Sequence, residues 1–175
     1  MQGSAMLFNV DTLGGPPWSF PGTRRAVRYL ADMPEYFPHD AEAQSRNPLV
    51  YEVYEWPGFG IGTDLAITVT VIHPGRIGGE SHHTKGHFHQ DPDGVELVIG
   101  VSGTGRLEMV NREGVELSEA VTPGAYLQVP PGWAHRVVNP DGDDLLYVSV
   151  ASATIGHDYE GVREAGWIPG AGVSA

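Results

Sequence analysis

Thr84-Lys85-Gly86-His87-Phe88-His89, with Glu96 after a spacer of six residues and Pro130-Pro131-Gly132-Trp133-Ala134-His135 far downstream, decides how this chain is read. Three imidazoles and one carboxylate make the donor set of a divalent metal centre. On a strand, His87 and His89 project to one face about 6–7 Å apart along the chain, while Phe88 points the other way into packing. Glu96 opens the next apolar run, where a hairpin would return its carboxylate beside the two rings. His135 follows a Pro-Pro-Gly turn whose restricted backbone could hold a third ring against the same point.

Outward from this cluster the text is that of short strands. Val50 to Tyr54, Leu65 to Ile72, Val95 to Val101, Arg106 to Val110, Ala125 to Val129 and Leu145 to Val150 are β-branched or aromatic runs. Between them stand Pro57-Gly58, Pro74-Gly75, Gly78-Gly79, Gly103-Thr104-Gly105, Pro123-Gly124, Pro130-Pro131-Gly132 and Asp141-Gly142. Six or more strands in a chain with 24 Gly and 14 Pro predict an antiparallel sandwich or barrel. Arg24 to Met33 suits a helix face or a strand face equally, and Pro34 ends either. Asp40 is placed to cap a short helix through Gln44, and helical patterning returns only from Tyr159 to Ala165. Residues 1–23, broken by Gly14-Gly15-Pro16-Pro17 and Pro21-Gly22, predict an irregular arm with one short strand around Leu7 to Val10. Pro169 to Ala175 reads as a frayed tail.

The 175 residues suit one domain, with the arm at 1–23 and the barrel core at 49–152. A formal charge of -12 opposes binding to nucleic acid and to anionic lipid. No stretch approaches the roughly 18 apolar residues a bilayer span needs, and the N-terminus shows no basic-then-apolar leader, so a cytoplasmic location is expected. With no cysteine, disulfides and thiolate ligation are excluded, which leaves His and carboxylate as the strong ligands. Nine of the ten basic residues are Arg, and Lys85 is the lone lysine, two positions before His87. A positive charge there would suit an anionic substrate group, although lysine-poor composition alone could also produce the pattern.

The motif spacing resembles the cupin superfamily. The first cupin motif appears as His87-Phe88-His89, Glu96 and Gly103, with a spacer longer than usual, and the second as Gly124, Pro130, Gly132, His135 and Asn139. The resemblance implies an all-β fold, the cupin double-stranded β-helix or jelly-roll barrel, with short peripheral helices and a bound metal. Over about residues 24 to 160 the chain is similar, more narrowly, to the cupin-type glucose-6-phosphate isomerases. The likeness is carried by Val27-Arg28-Tyr29-Leu30-Ala31-Asp32-Met33, Pro48 to Tyr54, Thr84 to His89, Trp133-Ala134-His135-Arg136 and Gly156-His157-Asp158-Tyr159. It implies a homodimeric enzyme of glycolysis and gluconeogenesis that interconverts glucose 6-phosphate and fructose 6-phosphate. His87, His89, Glu96 and His135 would then be the metal ligands, with Fe2+ first among Mn2+, Ni2+ and Zn2+. Thr70, Thr84, Lys85 and Gly86 would lie near the sugar phosphate, with Tyr51, His157 and Tyr159 lining the rest of the pocket.

The chemistry of the residues agrees with that expectation. Three nitrogens and one oxygen leave up to two positions on a six-coordinate ion for the C1 carbonyl and C2 hydroxyl oxygens of an open-chain aldose. Glu96 is the first candidate for the base that moves a proton between C2 and C1, a hydride shift being the alternative. His157 and Tyr159, behind Gly156, suit a pocket rim that assists ring opening. His82 and His83 are expected at the surface or behind the ligands. Val98, Gly132 and Ala151 depart from the isomerase pattern, which has aromatic hydroxyls at these places, and they put the identity of the sugar in question. The competing readings are another metallocupin enzyme, such as a dioxygenase or an isomerase of a different sugar phosphate, and a noncatalytic sugar-binding cupin.

Overall fold

A computed structural model describes residues 24–56, 65–140, 142–165 and 167. The expected arm over 1–23 with its strand near Leu7, the Pro57-Gly58 turn, Asp141 of the Asp141-Gly142 turn and the tail from Pro169 lie outside the described residues. In chain order the elements are β1 (Arg24–Tyr29), α1 (Ala41–Arg46), β2 (Leu49–Trp56), β3 (Leu65–Ile72), β4 (Arg76–Ile77), β5 (Glu80–Ser81), β6 (Phe88–His89) and β7 (Glu96–Ser102). They continue with β8 (Gly105–Asn111), β9 (Glu116–Val121), β10 (Tyr126–Val129), β11 (Trp133–Val138), β12 (Leu145–Ser152), β13 (His157–Asp158) and α2 (Tyr159–Glu164).

Six strands join in the order β1-β2-β3-β12-β7-β10, and three in the order β11-β8-β9. Two short pairs, β13-β6 and β4-β5, complete the wall, and every pairing is antiparallel. Because β12 lies between β3 and β7, the chain crosses from one sheet to the other and back, as in a jelly roll. Period-two alternation sets which side chains face the core. On β3, Thr70 and Ile72 point inward; on β7, Glu96 and Val98; on β12, Leu145 and Tyr147. Ile72, Phe88, Val98, Leu107, Val129 and Leu145 anchor one continuous core, each burial stabilising the fold by about 1.5–3 kcal/mol.

Arg24 to Tyr29 is a strand, paired with β2 and bulged at Arg28/Tyr29, because the edge of β2 offers a ladder that an isolated helix of ten residues cannot match. Asp32 Oδ2 accepts the Tyr29 amide at 2.8 Å and turns the chain into a 3-10 segment. The helix after Asp40 forms as expected, with Asp40 Oδ1 accepting the Ala43 amide at 2.9 Å and Asn47 ending it in the left-handed region. Gly103, the last residue of the first cupin motif, has φ +76, and a Cβ there would stand 2.6 Å from the Asp144 carbonyl.

One strand was not foreseen and one expectation needs correction. β9 was not foreseen, since its first five residues are exposed and lack apolar alternation. His135 follows the turn at Pro131-Gly132, as the third residue of strand β11. Glu96 does not pair with the His87–His89 segment in a hairpin: its ladder neighbours are Val129 and Ala151, while His89 pairs with His157. No helix among the described residues is long and apolar enough to cross a membrane.

Candidate metal centre

Three different sheets supply the donors. His89 ends β6, Glu96 begins β7 and His135 is the third residue of β11, while His87 is held by a backbone bridge to His135. That bridge is reciprocal, the His87 amide donating to the His135 carbonyl at 3.3 Å and the His135 amide to the His87 carbonyl at 3.0 Å. One donor atom from each of His87, His89, Glu96 and His135 lies within 4.8 Å of the others. His89 Nε2 and His135 Nε2 stand 3.3 and 3.4 Å from Glu96 Oε2.

The backbone orients two of the rings. His87 Nδ1 lies 3.4 Å from the Lys85 carbonyl and His89 Nδ1 3.2 Å from the Gly94 carbonyl. A ring proton donated to each carbonyl leaves Nε2 with its lone pair directed at the centre. His87 Nε2 is buried without a hydrogen-bond partner, an arrangement that a bound ion would satisfy. Burial, followed by the neighbouring His135 and His157 rings, lowers the His87 pKa well below that of a free imidazole, so the ring is in its ligand form at neutral pH. Burial pushes Glu96 upward, but His135 and the bonds from His135 and His89 prevail and keep it ionised. The donor set and its protonation therefore fit a divalent cation.

His157 and Tyr159 border this cluster. The His157 ring meets His87 edge-on at 4.3 Å, and Tyr159 lies 5.7 Å from His87 and 5.9 Å from His157, measured between ring centroids. Burial lowers the His157 pKa, which leaves a neutral imidazole beside the ligands. Tyr51 is buried, and that burial, followed by the nearby Tyr159, pushes its pKa up to about 12. Thr70 faces inward, and Thr84 Oγ1 accepts the Val137 amide at 3.0 Å. Lys85 Nζ sits 5.8 Å from the Tyr36 ring centroid, in the field of Glu35, Arg28 and Asp32. Gly86 packs its α-carbon against Trp167, where a Cβ would come within 3.3 Å of the indole.

His82 and His83 are not at the surface. They are 3% and 1% exposed, with His83 stacked on Phe37 at 4.4 Å and His82 Nδ1 bonded to the His73 carbonyl at 3.0 Å. Arg28 and Tyr147, which act electrostatically on or with Tyr51, and Tyr36, whose ring lies beside Lys85, were not singled out from the sequence. Aromatic residues in strands usually pack, and Arg28 gave no sign beyond its place in an amphipathic run.

An antiparallel barrel whose wall directs His-x-His, Glu and a distant His at one interior point has the cupin fold, with a cluster that could hold a metal. Bacillus subtilis oxalate decarboxylase, described with Mn(II) centers, superposes with a TM-score of 0.51 at 20% identity, over 60% of this chain and 26% of that one. The likeness is one of fold. A sequence-family model described as glucose-6-phosphate isomerase (GPI) matches residues 29–170, and the chain belongs to that family. It is 38% identical over 151 residues to the glucose-6-phosphate isomerase of Thermococcus kodakarensis, covering 84% of this chain and 79% of the other. The Pyrococcus abyssi glucose-6-phosphate isomerase is 34% identical over 151 residues, covering 84% and 80%.

Proposed function

We propose that this chain is a metal-dependent aldose–ketose isomerase that interconverts glucose 6-phosphate and fructose 6-phosphate. The observation that carries the reading is the convergence of His87, His89, Glu96 and His135, bordered by His157 and Tyr159, in a member of this isomerase family. The four residues would hold one divalent cation per chain, Fe2+ first and Mn2+, Ni2+ or Zn2+ in competition with it. When bound, that cation supplies Lewis acidity at the C1 and C2 oxygens of the open-chain sugar.

The other steps fall to the chain's own residues. His157, neutral beside His87, and the Tyr159 hydroxyl pass a proton to and from the ring oxygen during opening. Glu96, already ionised, moves the proton between C2 and C1. Thr70, Thr84, Lys85 and Gly86 take the phosphate, and Tyr51 closes the sugar side. Residues 1–175 act as a single domain in the cytoplasm and assemble as a homodimer. The partly exposed apolar outer face of the large sheet, including Val71, Ile99, Val101 and Val148, supports that assembly.

A coupled assay of the purified chain loaded in turn with Fe2+, Mn2+, Ni2+ and Zn2+ tests the proposal. Interconversion of the two sugar phosphates with at least one ion is expected. Absence of turnover with all four would overturn the isomerase reading.

A further inference from the structure

Across β11 from the candidate metal centre lies a cavity of about 250 Å³ that no step of the mechanism uses. Successive residues of β11 alternate between the two sides of the sheet, so His135 and Val137 face the core while Arg136 and Val138 face outward. On the neighbouring β8, Leu107 and Met109 point inward and Arg106 and Glu108 outward, with Arg136 opposite Glu108 and Val138 opposite Arg106. Arg76 of β4 and Glu80 of β5 close the cavity from the side. His83, bridged through its backbone to Val138, completes the lining.

Positive charge is concentrated here. The lining holds three guanidiniums against two carboxylates, in a chain whose formal charge is -12. Glu108 clamps two of the guanidiniums side by side: Oε2 accepts from Arg136 Nε at 2.9 Å, and Oε1 accepts from Arg106 Nε and Nη2 at 3.4 and 3.2 Å. Arg136 also lies over the Trp167 ring, 5.0 Å from its centroid. Among the described residues these bonds use one N–H of Arg136 and two of Arg106, and the rest of each fork remains for a ligand. Guanidiniums fixed in place present the donor geometry that an oxyanion takes.

His83 adds an independent demand. Its side chain is 2% exposed. Nδ1 lies 2.9 Å from the Thr84 carbonyl, which can only accept, so Nδ1 carries the proton. In the neutral ring Nε2 then presents a lone pair, and it is buried without a hydrogen-bond partner. Glu80 Oε2, at 3.8 Å, is beyond hydrogen-bond reach. A bare buried acceptor is costly, and a ligand that brings an O–H relieves it. The two demands meet in one ligand chemistry, anionic oxygens for the guanidiniums and an O–H for His83. Hydrogenphosphate carries both on one centre, and the phosphate monoester of a polyol carries them on neighbouring groups. Sulfate, of the same shape, has no proton to give.

We propose that this cavity on the outer face of β8 and β11 is a second anion site, separate from the metal centre, that takes hydrogenphosphate or a small hydroxylated phosphate monoester. Arg106 and Arg136 bind the anionic oxygens, and His83 Nε2 accepts the O–H. The site depends on these residues alone and is independent of the isomerase activity.

Equilibrium dialysis of the metal-loaded full chain against radiolabelled inorganic phosphate near neutral pH tests the site. Arg106→Ala removes one guanidinium from a side chain that is 49% exposed, so the melting temperature and bound metal should not change. The wild type should bind one equivalent of phosphate per chain that Arg106→Ala holds at least about tenfold more weakly, whatever the interior pocket binds in both proteins. Sulfate should compete for that equivalent at least about tenfold less well than phosphate, because it leaves His83 Nε2 bare. Glycerol 3-phosphate separates the two sources of ligand. Displacement at concentrations like those of phosphate assigns the site to monoesters, and failure to displace assigns it to the free ion. Equal phosphate binding by the wild type and Arg106→Ala would overturn the proposal. Sulfate competing as well as phosphate would also overturn it, by marking an unselective patch of positive charge.

Discussion

His135 does two jobs with one position: its backbone closes a bridge with His87, and its ring brings Nε2 to Glu96 at 3.4 Å. His135→Ala keeps the bridge and removes the ring. Elemental analysis should find most of the bound metal lost, and a full complement would contradict the ligand assignment. Four residues of this centre were legible in the sequence because their chemical types are uncommon in strand interiors and their spacing matches one geometry. Of the two places expected for His82 and His83, burial excludes the surface. Two adjacent polar rings suggest a surface, yet Phe37 covers one and the turn at Gly75 holds the other.

Elements that enclose the site are pinned by polar groups as well as by the core. Asn139, fully buried just after β11, donates from Nδ2 to the Ile72 carbonyl at 2.8 Å and to the Asp143 carbonyl at 3.0 Å. It thereby fastens the end of β3 to the turn before β12. Asn139→Ala would strand two carbonyls, and a stability loss of about 2–4 kcal/mol is expected from denaturant unfolding. A loss below about 0.5 kcal/mol would show that water replaces the amide. Strands with β-branched runs, such as β3 and β12, could be read from residues 65–72 and 145–150. β9 could not, because Glu116, Ser118 and Glu119 belong to a strand held by its ladder to β8 and not by burial. β6 could not be bounded either, being two residues whose partner, β13, lies nearly seventy positions away.

Taken whole, the molecule carries a strong negative charge, and one buried carboxylate on the outer side of the large sheet is kept ionised by its surroundings. Burial works to raise the Glu52 pKa, but bonds from Arg25 at 2.8 Å, Tyr54 at 2.6 Å and His73 at 3.3 Å outweigh it and hold the group at about 2. A folded-state pKa below the ordinary 4.5 means that the stabilisation is complete above that pH and is lost as pH falls toward about 2. Glu52→Gln should therefore cost about 2 kcal/mol at pH 7 and progressively less between pH 4.5 and 2. A penalty that stays constant across that range would assign the effect to packing.

The placement of three of the four candidate ligands on separate sheets has its own consequence. His89 belongs to the β13-β6 pair, Glu96 to the six-stranded sheet and His135 to the three-stranded sheet, so the donors converge only when all three have docked. An ion bound there would be a keystone: seated last, it would lock pieces that share little backbone, and its removal would loosen the arch along with the chemistry. Selection for catalytic competence and selection for heat resistance would then act on the same four side chains.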